Sequence, residues 1–319
     1  MASESNKIIS VIIVACGAGD YLASCLDSVL AQLHPADEII VIVNQPGQTI
    51  DDTVRLRHTS VKVLRQKENL FYCQALNIGI GASKGDFVLC LNDDVVLDKR
   101  FIKEALRGFA IDERVGLVSG KIVRPGGLTI DSTGLFLNYC RKATERGYGR
   151  RDTGQFEKQG YVFGVNGAVA FYRRKMLEDI KENGFYFDPA FRIFYEDVDI
   201  SWRAARRGWK GYYVPAALAY HVRGGTVRQG RGIDKPYARR YLAAPLHADL
   251  IKNRYLTMIR NESLPDFLLH LPGIALYECI SWLYILCGNR PAVGEFFLQI
   301  RHIRDAFRKR LLRARGREV

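Results

Sequence analysis

Between residues 7 and 119 the chain alternates short apolar runs with amphipathic stretches, and this alternation constrains the fold more than any other feature. The apolar runs are residues 8–15, 38–43, 61–64 and 87–91. Residues 21–33 carry leucine and valine at helical spacing, and residues 73–82 carry small side chains that let a helix pack close to a sheet. Strands alternating with helices indicate βαβ units, so the sequence predicts an α/β fold with a mostly parallel sheet.

Composition narrows the class of protein. The chain has 319 residues, of which 48% are hydrophobic and 25% charged, as expected of a globular protein with one large or two small domains. Its seven cysteines form no CxxC pair and lie mostly in apolar runs, which indicates buried thiols in a reducing cytoplasm. The N-terminus shows no secretory signal pattern. A net charge of +13 predicts a polyanionic partner: nucleic acid, an anionic membrane or a phosphorylated substrate.

The middle of the chain, from about 120 to 222, is richer in loops. Residues 163–174 predict a strand that leads into a helix, and residues 211–222 predict another strand. Between them, residues 194–209 predict a polar helix with acidic residues in its first turn.

The acidic triplet Asn92, Asp93 and Asp94 directly follows the fourth apolar run. In an open parallel sheet, ligands bind at the carboxyl ends of the strands. A carboxylate oxygen of Asp94 is suited to hold Mg²⁺ or Mn²⁺ there, with Asn92 or Asp93 orienting a ribose or a water. The same residue types also suit a loop that caps the next helix, and the triplet alone leaves both interpretations open.

A second acidic group, Glu196, Asp197 and Asp199, falls in the first turn of the predicted polar helix. The helix dipole favours acidic residues there, which explains them without any catalytic role. A functional interpretation requires one carboxylate to take the proton of an attacking hydroxyl. The aromatic residues just before this turn would give that carboxylate a partly apolar, sugar-stacking surround.

His221 ends the last predicted strand and precedes a basic, glycine-rich stretch at 223–240. A lone histidine near an apolar strand is usually a hydrogen-bonded core residue. The alternative is that its neutral imidazole binds a metal at the rim of an anion site.

Six segments occur in a fixed order: SVIIVACGAGDYLASCLDSVLAQ, EIIVIVN, ENLFYCQALNIGIGASKGDFVLCLNDDVVLD, VNGAVAFYRR, FYEDVDISWRAARRGW and YVPAALAYHVRGGT. Together they resemble the family-2 inverting glycosyltransferases over about residues 8 to 260. They are similar in particular to the bacterial rhamnosyltransferases and galactofuranosyltransferases of cell-surface polysaccharides. The resemblance implies the GT-A nucleotide-diphospho-sugar transferase fold, with a Rossmann-like, mostly parallel sheet and a C-terminal helical extension that associates with membranes.

The resemblance also implies roles for individual positions. Asp94 and His221 are implied to bind a divalent cation, Mn²⁺ or Mg²⁺, and Asp197 is implied to be the catalytic base. The implied binding residues for the nucleotide-diphospho-sugar are Ala15, Asn44, Gln45, Asn69, Asn92 and Asp93. Two positions depart from the family pattern: Cys16-Gly17 replaces Tyr-Asn, and Phe71 stands where a glycine is usual. We therefore expect a nucleobase pocket that differs in detail.

The C-terminal part is predicted to contact the membrane. The apolar stretch 267–287 is interrupted by His270, Pro272 and Glu278, so we expect it to be buried or interfacial, not spanning. Residues 291–317 predict an amphipathic cationic helix that lies on an anionic leaflet. The alternative is a helix packed on the domain with a solvated basic tail. Candidates for binding the acceptor or its phosphates are Glu196, Arg223, Arg228 and Arg231.

These inferences predict three regions: a catalytic domain at 1–222 with halves 1–119 and 120–222, a basic loop and linking helix at 223–260, and helices at 261–319. The predicted function is metal-dependent, inverting transfer of a sugar such as rhamnose to a lipid-linked or polysaccharide acceptor. The expected place is the cytoplasmic face of the cell membrane, in cell-envelope glycan synthesis.

Two other classes of function are less consistent with the sequence. A nucleotidyltransferase needs basic residues in its glycine-rich loop, and residues 16–22 contain none. A nucleic-acid-binding protein would interleave basic and aromatic residues along one face. The excess charge is instead concentrated at 223–240 and 301–317, so we expect no nucleic-acid partner.

Overall fold

The structure is a computed structural model that describes residues 7–16, 21–45, 61–223 and 242–314. Its strands are β1 Ile9–Ala15, β2 Glu38–Val43, β3 Val61–Arg65, β4 Phe87–Asn92, β5 Val95–Leu97, β6 Val115–Val123, β7 Ile130–Ser132, β8 Leu135–Leu137, β9 Ala143–Glu145, β10 Gly160–Val162, β11 Val169–Arg173 and β12 Lys210–His221. Its helices are α1 Tyr21–Leu30, α2 Phe71–Ala82, α3 Phe101–Phe109, α4 Arg174–Asp179, α5 Glu196–Arg206, α6 Ala244–Asn261, α7 Leu264–Gly288, α8 Pro291–Leu298 and α9 Ile300–Ala314, with a 3-10 turn at Pro189–Phe191.

The main sheet has the strand order β10-β12-β6-β11-β4-β1-β2-β3. Strand β1 pairs in parallel with β2 and β4, and β2 pairs in parallel with β3. Strand β11 runs antiparallel to both β4 and β6, while β6 and β12 run parallel to each other. All strands of this path except β10 and β11 therefore point the same way, which confirms the predicted mostly parallel α/β sheet.

Helices cover both faces of the sheet because the central strands are apolar on both sides. In β1, Val11 and Ile13 pack with α1 and α3, whereas Ile12 and Val14 pack with α2, α4 and α5. Successive strand residues point to opposite faces, so one continuous apolar run serves two cores. Gly79 of α2 lies so close to the sheet that a Cβ there would sit 2.3 Å from Ile12. The close helix packing predicted from small residues is present at this position.

The parallel strands bring their carboxyl ends to one edge. Strand β1 ends at Ala15 opposite Val43 of β2, and Val14 of β1 lies opposite Asn92 of β4. His221 closes β12 opposite Val95, the first residue after the acidic triplet. The polar residues that follow these strands are therefore gathered at a single edge of the sheet.

The C-terminal helices form a smaller layer. Helix α6 contributes Leu256 to the second core, and its Ala248 and Ile251 pack with Ile285 and Phe296 of α7 and α8. Helix α7 runs unbroken for 25 residues despite Pro272. Within the described part of the chain it is the one helix long and apolar enough to cross a membrane, with a mean hydropathy of 1.4. Most of its side chains are exposed, so burial against the domain, one of the two placements expected for 267–287, is not what the structure shows.

Candidate active site

The acidic triplet lies in the tight turn between β4 and β5. The backbone N–H of Asn92 donates to the carbonyl of Ala168, at 3.0 Å. The carboxylate of Asp93 accepts from the backbone N–H of Cys16 at 2.9 Å, and so ties the end of β1 to the end of β4. Asp94 is buried, with 8% of its surface exposed, and faces β12. The triplet is thus fixed at the carboxyl edge of the sheet by neighbouring backbone.

Asp94 and His221 meet at this edge. Oδ1 of Asp94 lies 3.3 Å from Nε2 of His221, and the other ring nitrogen, Nδ1, lies 2.9 Å from Oδ2 of Asp131. Asp131 belongs to β7 and is completely buried. The imidazole is therefore held between two carboxylates that come from distant parts of the chain. Burial lowers the pKa of His221, but hydrogen bonds to Asp131 and Asp94 outweigh this and raise it to about 9.

The Asp94–His221 pair fits a divalent cation, which would replace the proton that Nε2 of His221 shares with Asp94. Adjacent ligands of an octahedral ion bound at about 2.1 Å are about 3 Å apart, close to the separation observed here. In the described ranges, no group of three or more His, Cys, Asp or Glu side chains is arranged to hold a metal. Two protein ligands suit Mg²⁺ or Mn²⁺, which usually keep waters and bind substrate phosphates as well. Asp131 would orient the imidazole, as a carboxylate commonly does behind a metal-bound histidine.

The second acidic group begins helix α5 on the other side of a shared loop. Oδ2 of Asp197 accepts from the backbone N–H of Gly167 at 3.0 Å, and its Oδ1 accepts from Val198 at 2.8 Å. A Cβ on Gly167 would lie 3.0 Å from Oε1 of Glu196, so this close approach favours glycine. The next residue of the loop is Ala168, the acceptor for Asn92. The loop therefore joins the candidate base to the acidic triplet.

Burial raises the pKa values of both Asp197 and Glu196, but to different extents. Burial and, secondarily, Glu145 raise the pKa of Asp197 to about 6, although the N–H groups of Gly167 and Val198 oppose the shift. Burial and the neighbouring Asp197 raise the pKa of Glu196 to about 8. At neutral pH, Asp197 is therefore the ionised member and Glu196 the protonated one. A carboxylate with a pKa near the working pH is well suited to general-base catalysis.

The residues expected to bind the nucleobase lie around the end of β2. Asn44 is fully buried, and its side chain accepts from Leu70 N–H at 3.0 Å and donates to the Phe71 carbonyl at 3.2 Å. Asn69 accepts from Phe71 N–H at 2.8 Å. Ala15 is buried at the end of β1, and Gln45 is exposed. Both asparagines thus shape the start of α2, and the nucleobase contacts stay a prediction.

One departure from the family pattern is Phe71, which stands where a glycine is usual. Its φ is +58°, a left-handed conformation that glycine adopts easily and that costs energy for other residues. The backbone here therefore keeps the shape that the usual glycine would allow, even though the residue is phenylalanine.

The candidate phosphate-binding arginines are only partly described. Arg223 forms ion pairs with Asp131 and Glu145, each at 2.7 Å, and stacks over Tyr148. It thereby braces the carboxylate that holds His221. Arg228 and Arg231 lie outside the described residues, so the predicted role of the basic loop stays a prediction.

An open α/β sheet with an acidic turn, a facing histidine and two adjacent acids at its carboxyl edge is of the kind found in GT-A transferases. A sequence model of the family described as "Glycosyltransferase like family 2" matches residues 6–235. The chain belongs to glycosyltransferase family 2. This confirms the enzyme class and the fold expected from the sequence.

Known proteins agree with this assignment. Poly-beta-1,6-N-acetyl-D-glucosamine synthase of Staphylococcus aureus (strain MSSA476) is 24% identical over 290 residues, which cover 87% of this chain and 63% of the relative. Glycosyltransferase GlyG of Streptococcus pneumoniae serotype 4 is 28% identical over 102 residues, 31% of this chain and 34% of the relative. The chain thus spans less than two thirds of the length of these relatives. A crystal structure of GalNAc-T7 with UDP, GalNAc and Mn²⁺ superposes with a TM-score of 0.59 at 15% identity, covering 80% of this chain and 48% of that one.

Proposed function

We propose that the chain is a metal-dependent, inverting glycosyltransferase that uses a nucleotide-diphospho-sugar and a lipid-linked or polysaccharide acceptor. The observation that carries the proposal is that Asn92 and the half-buried Asp197 both contact the loop at Gly167 and Ala168, while Asp94, two residues after Asn92, lies against His221. This arrangement supports a cation-binding pair and a proton acceptor at one edge of the sheet, where ligands of such sheets bind.

The chemistry follows from these groups. Asp94 and His221 would hold a divalent cation, with Asp131 fixing the orientation of the imidazole, and the cation when bound would neutralise charge that develops on the leaving diphosphate. Asp197 takes the proton of the acceptor hydroxyl while its oxygen bonds to the anomeric carbon and the bond to the diphosphate breaks. A single displacement from the opposite face inverts the configuration.

The donor sugar is the least constrained part of the proposal. The resemblance drawn from sequence favours rhamnose, whereas the names of two similar proteins refer to N-acetylated sugars. The solved structure of GalNAc-T7 contains UDP and Mn²⁺, which supports a nucleotide-linked donor and a divalent cation for this fold.

A donor screen tests the proposal. The purified chain is mixed with UDP- and dTDP-linked sugars, including rhamnose and N-acetylhexosamines, with Mn²⁺ or with excess chelator. We expect at least one donor to raise the melting temperature and to be hydrolysed slowly, only with the metal. A ligand at 100 times its Kd stabilises the folded state by about 2.7 kcal/mol, which thermal unfolding readily detects. If no donor stabilises the chain or is turned over, the proposal is wrong.

The membrane part of the proposal is supported by the orientation of α7. Its polar residue Glu278 accepts from Arg254 at 2.6 Å and from Tyr255 at 2.5 Å, and its His270 ring packs on Tyr139. The outward face carries leucines and an isoleucine, each more than half exposed: Leu268, Leu269, Leu276, Ile280 and Leu283. Helix α7 therefore turns its polar side inward and its apolar side outward, the reverse of a solvent-facing helix.

Exposed cations lie near this part of the chain. Arg301, Arg304 and Arg308 of α9 are exposed, whereas Arg310 of the same helix donates to the carbonyls of Ile259 and Glu262. An apolar face together with exposed arginines suits an anionic bilayer, and each cation near the surface adds about 1 kcal/mol. We propose that the protein is peripheral on the cytoplasmic face of the membrane, with α7 at the interface.

Vesicle binding tests this surface. We expect the chain to co-sediment with vesicles of anionic phosphatidylglycerol, more weakly at high salt, and hardly with neutral phosphatidylcholine. The double variant Leu276→Glu/Leu283→Glu should lose most of this binding, because it places charge on the outward face. Leu33→Glu changes an equally exposed leucine beyond α1 and should bind normally. Unchanged co-sedimentation of the double variant with vesicles would show that α7 does not contact the membrane.

A further inference from the structure

The segment that leads into the candidate base has an unusual backbone. Arg192, Phe194 and Tyr195 have φ values of +62°, +71° and +65°, and none of them is glycine. At Arg192 the N–H of Ile193 donates to the carbonyl of Phe191 at 2.7 Å, which makes a tight γ-turn of the rarer, strained kind. Residues with a Cβ adopt these conformations only where surrounding structure holds them. The next two residues are Glu196 and Asp197.

One side chain from α6 holds this backbone. Nδ2 of Asn253 lies 2.7 Å from the carbonyl of Phe191, 2.7 Å from that of Ile193 and 2.8 Å from that of Phe194. Asn253 is completely buried, and its Oδ1 has no hydrogen-bond partner among the described residues. The amide nitrogen of Asn253 contacts three carbonyls, whereas its amide oxygen makes no hydrogen bond with the described residues. The side chain therefore holds these three carbonyls close together.

The same face of α6 makes two further sets of contacts, one to Arg192 and one to Asp199. Asp249, one turn before Asn253, lies 3.6 Å from Nε of Arg192, whose guanidinium also stacks over the ring of Phe71. About two turns later, Asn261 donates to Asp199 of α5 at 2.9 Å, and Arg260 forms an ion pair with the same carboxylate at 3.3 Å. Helix α6 therefore contacts the chain on both sides of Asp197.

This helix lies beyond residue 235, where the match to the family ends. The catalytic turn of this chain is thus supported by an element outside the matched region. We propose that Asn253 is a positioning residue that fixes the carbonyls of Phe191, Ile193 and Phe194 and thereby sets the direction in which Asp197 leaves the start of α5. This inference rests on the proposed function, since it assumes that Asp197 is the base.

The test compares Asn253→Asp and Asn253→Ala with the wild-type chain. The aspartate keeps the volume but removes both donors and puts a carboxylate against three carbonyls, and the alanine removes the side chain. We expect kcat to fall on the order of 10²-fold in both, the usual cost of misplacing a reacting group by about 1 Å. The donor KM should stay unchanged, because the cation-binding pair is untouched. Rates are expressed per donor-binding site, counted by calorimetry, so that unfolded protein does not enter the comparison.

Two controls separate positioning from general stability. Ile251→Ala, two residues away on the opposite face of α6, packs with α7 and α8 and should lower the melting temperature without changing kcat per site. Hydrogen exchange should show faster exchange of amides 191–199 in the Asn253 variants and not in Ile251→Ala.

The outcomes are distinguishable from failure of the proposed function. If Asp197→Asn keeps a normal rate, the base assignment is wrong. If Asp197→Asn is inactive but both Asn253 variants retain normal kcat per site and normal exchange at 191–199, Asn253 has no positioning role. A parallel fall of kcat in Ile251→Ala would also overturn the inference, because it would show that stability alone controls the rate.

Discussion

Asp197→Asn is expected to lower the transfer rate by a factor of about 10²–10⁴, the usual contribution of a positioned acid or base. The amide has nearly the same volume and keeps an oxygen that can accept from Gly167 or Val198, but it cannot take a proton. Donor affinity should persist, because in the proposed mechanism the diphosphate is bound through the cation at Asp94 and His221, which this variant leaves unchanged. Calorimetric donor binding and the initial rate of transfer, measured on the same preparation, check both expectations.

The stability of this variant provides an independent criterion. Burial raises the folded-state pKa of Asp197, so folding favours its protonated form, and the stability this provides at low pH is lost as pH rises through about 6. The ionised side chain therefore costs stability at neutral pH, and Asp197→Asn should be as stable as the wild type or more so. If the acidic turn only serves the helix dipole, the variant should instead lose up to about 1 kcal/mol and keep its rate.

Two further measurements complete that test. In the wild-type chain, kcat/KM should rise with pH through about 6, as Asp197 ionises, and this limb should vanish in the variant's residual activity. Glu196→Gln is the matched control, since Glu196 is already protonated at neutral pH and lies beside Asp197. It should retain most of the rate. Equal losses in both variants would argue against a unique proton acceptor at position 197.

Much of the fold could be predicted because its strands are apolar on both faces. The run predicted at 38–43 is β2 to the residue, and β1, β3 and β4 differ from prediction by one residue at one end. The strands β5 to β10 were not predicted. All of them except β6 have only three residues, too few to show a periodic pattern. Strands β5 and β10 pair with β12, β7 pairs with β6, and β8 and β9 pair with each other. Helix α1 ends at Leu30, three residues before its apolar spacing does.

Some residues of the candidate site could likewise be predicted from the sequence, and others could not. Asp94, Asp197 and His221 were found because their residue types follow strands or begin a helix in a recognisable order. Asp131 was not, since its only local signal is an aspartate in a loop-like segment, and its partner lies 90 residues away. Asn253 was not predicted either. An asparagine within a helix gives no signal in the sequence, and its role becomes visible only from the three carbonyls that it contacts.

Asp94→Asn is expected to abolish metal-dependent turnover while leaving the fold intact. The variant loses the charged oxygen that lies 3.3 Å from His221, yet His221 keeps its hydrogen bond to Asp131. Loss of an outer partner such as Asp131 typically costs about 10–100-fold in metal affinity, so Asp131→Asn should fall in that range and Asp94→Asn beyond it. Binding of Mn²⁺ in the presence of the donor, followed by electron paramagnetic resonance, gives both affinities without relying on activity.

The order of these two effects is the decisive part of the argument. If Asp94 binds the cation directly and Asp131 only orients the histidine, Asp94→Asn must lower Mn²⁺ affinity more than Asp131→Asn does. If both residues are purely structural, this order is not required. Asp98→Asn serves as the control, because Asp98 lies four residues further on and accepts from the backbone N–H of Arg100, away from His221. It should bind Mn²⁺ normally. Full turnover by the wild-type chain in excess chelator would remove the cation from the mechanism, and Asp94 would then be left with the role of a loop residue that supports His221.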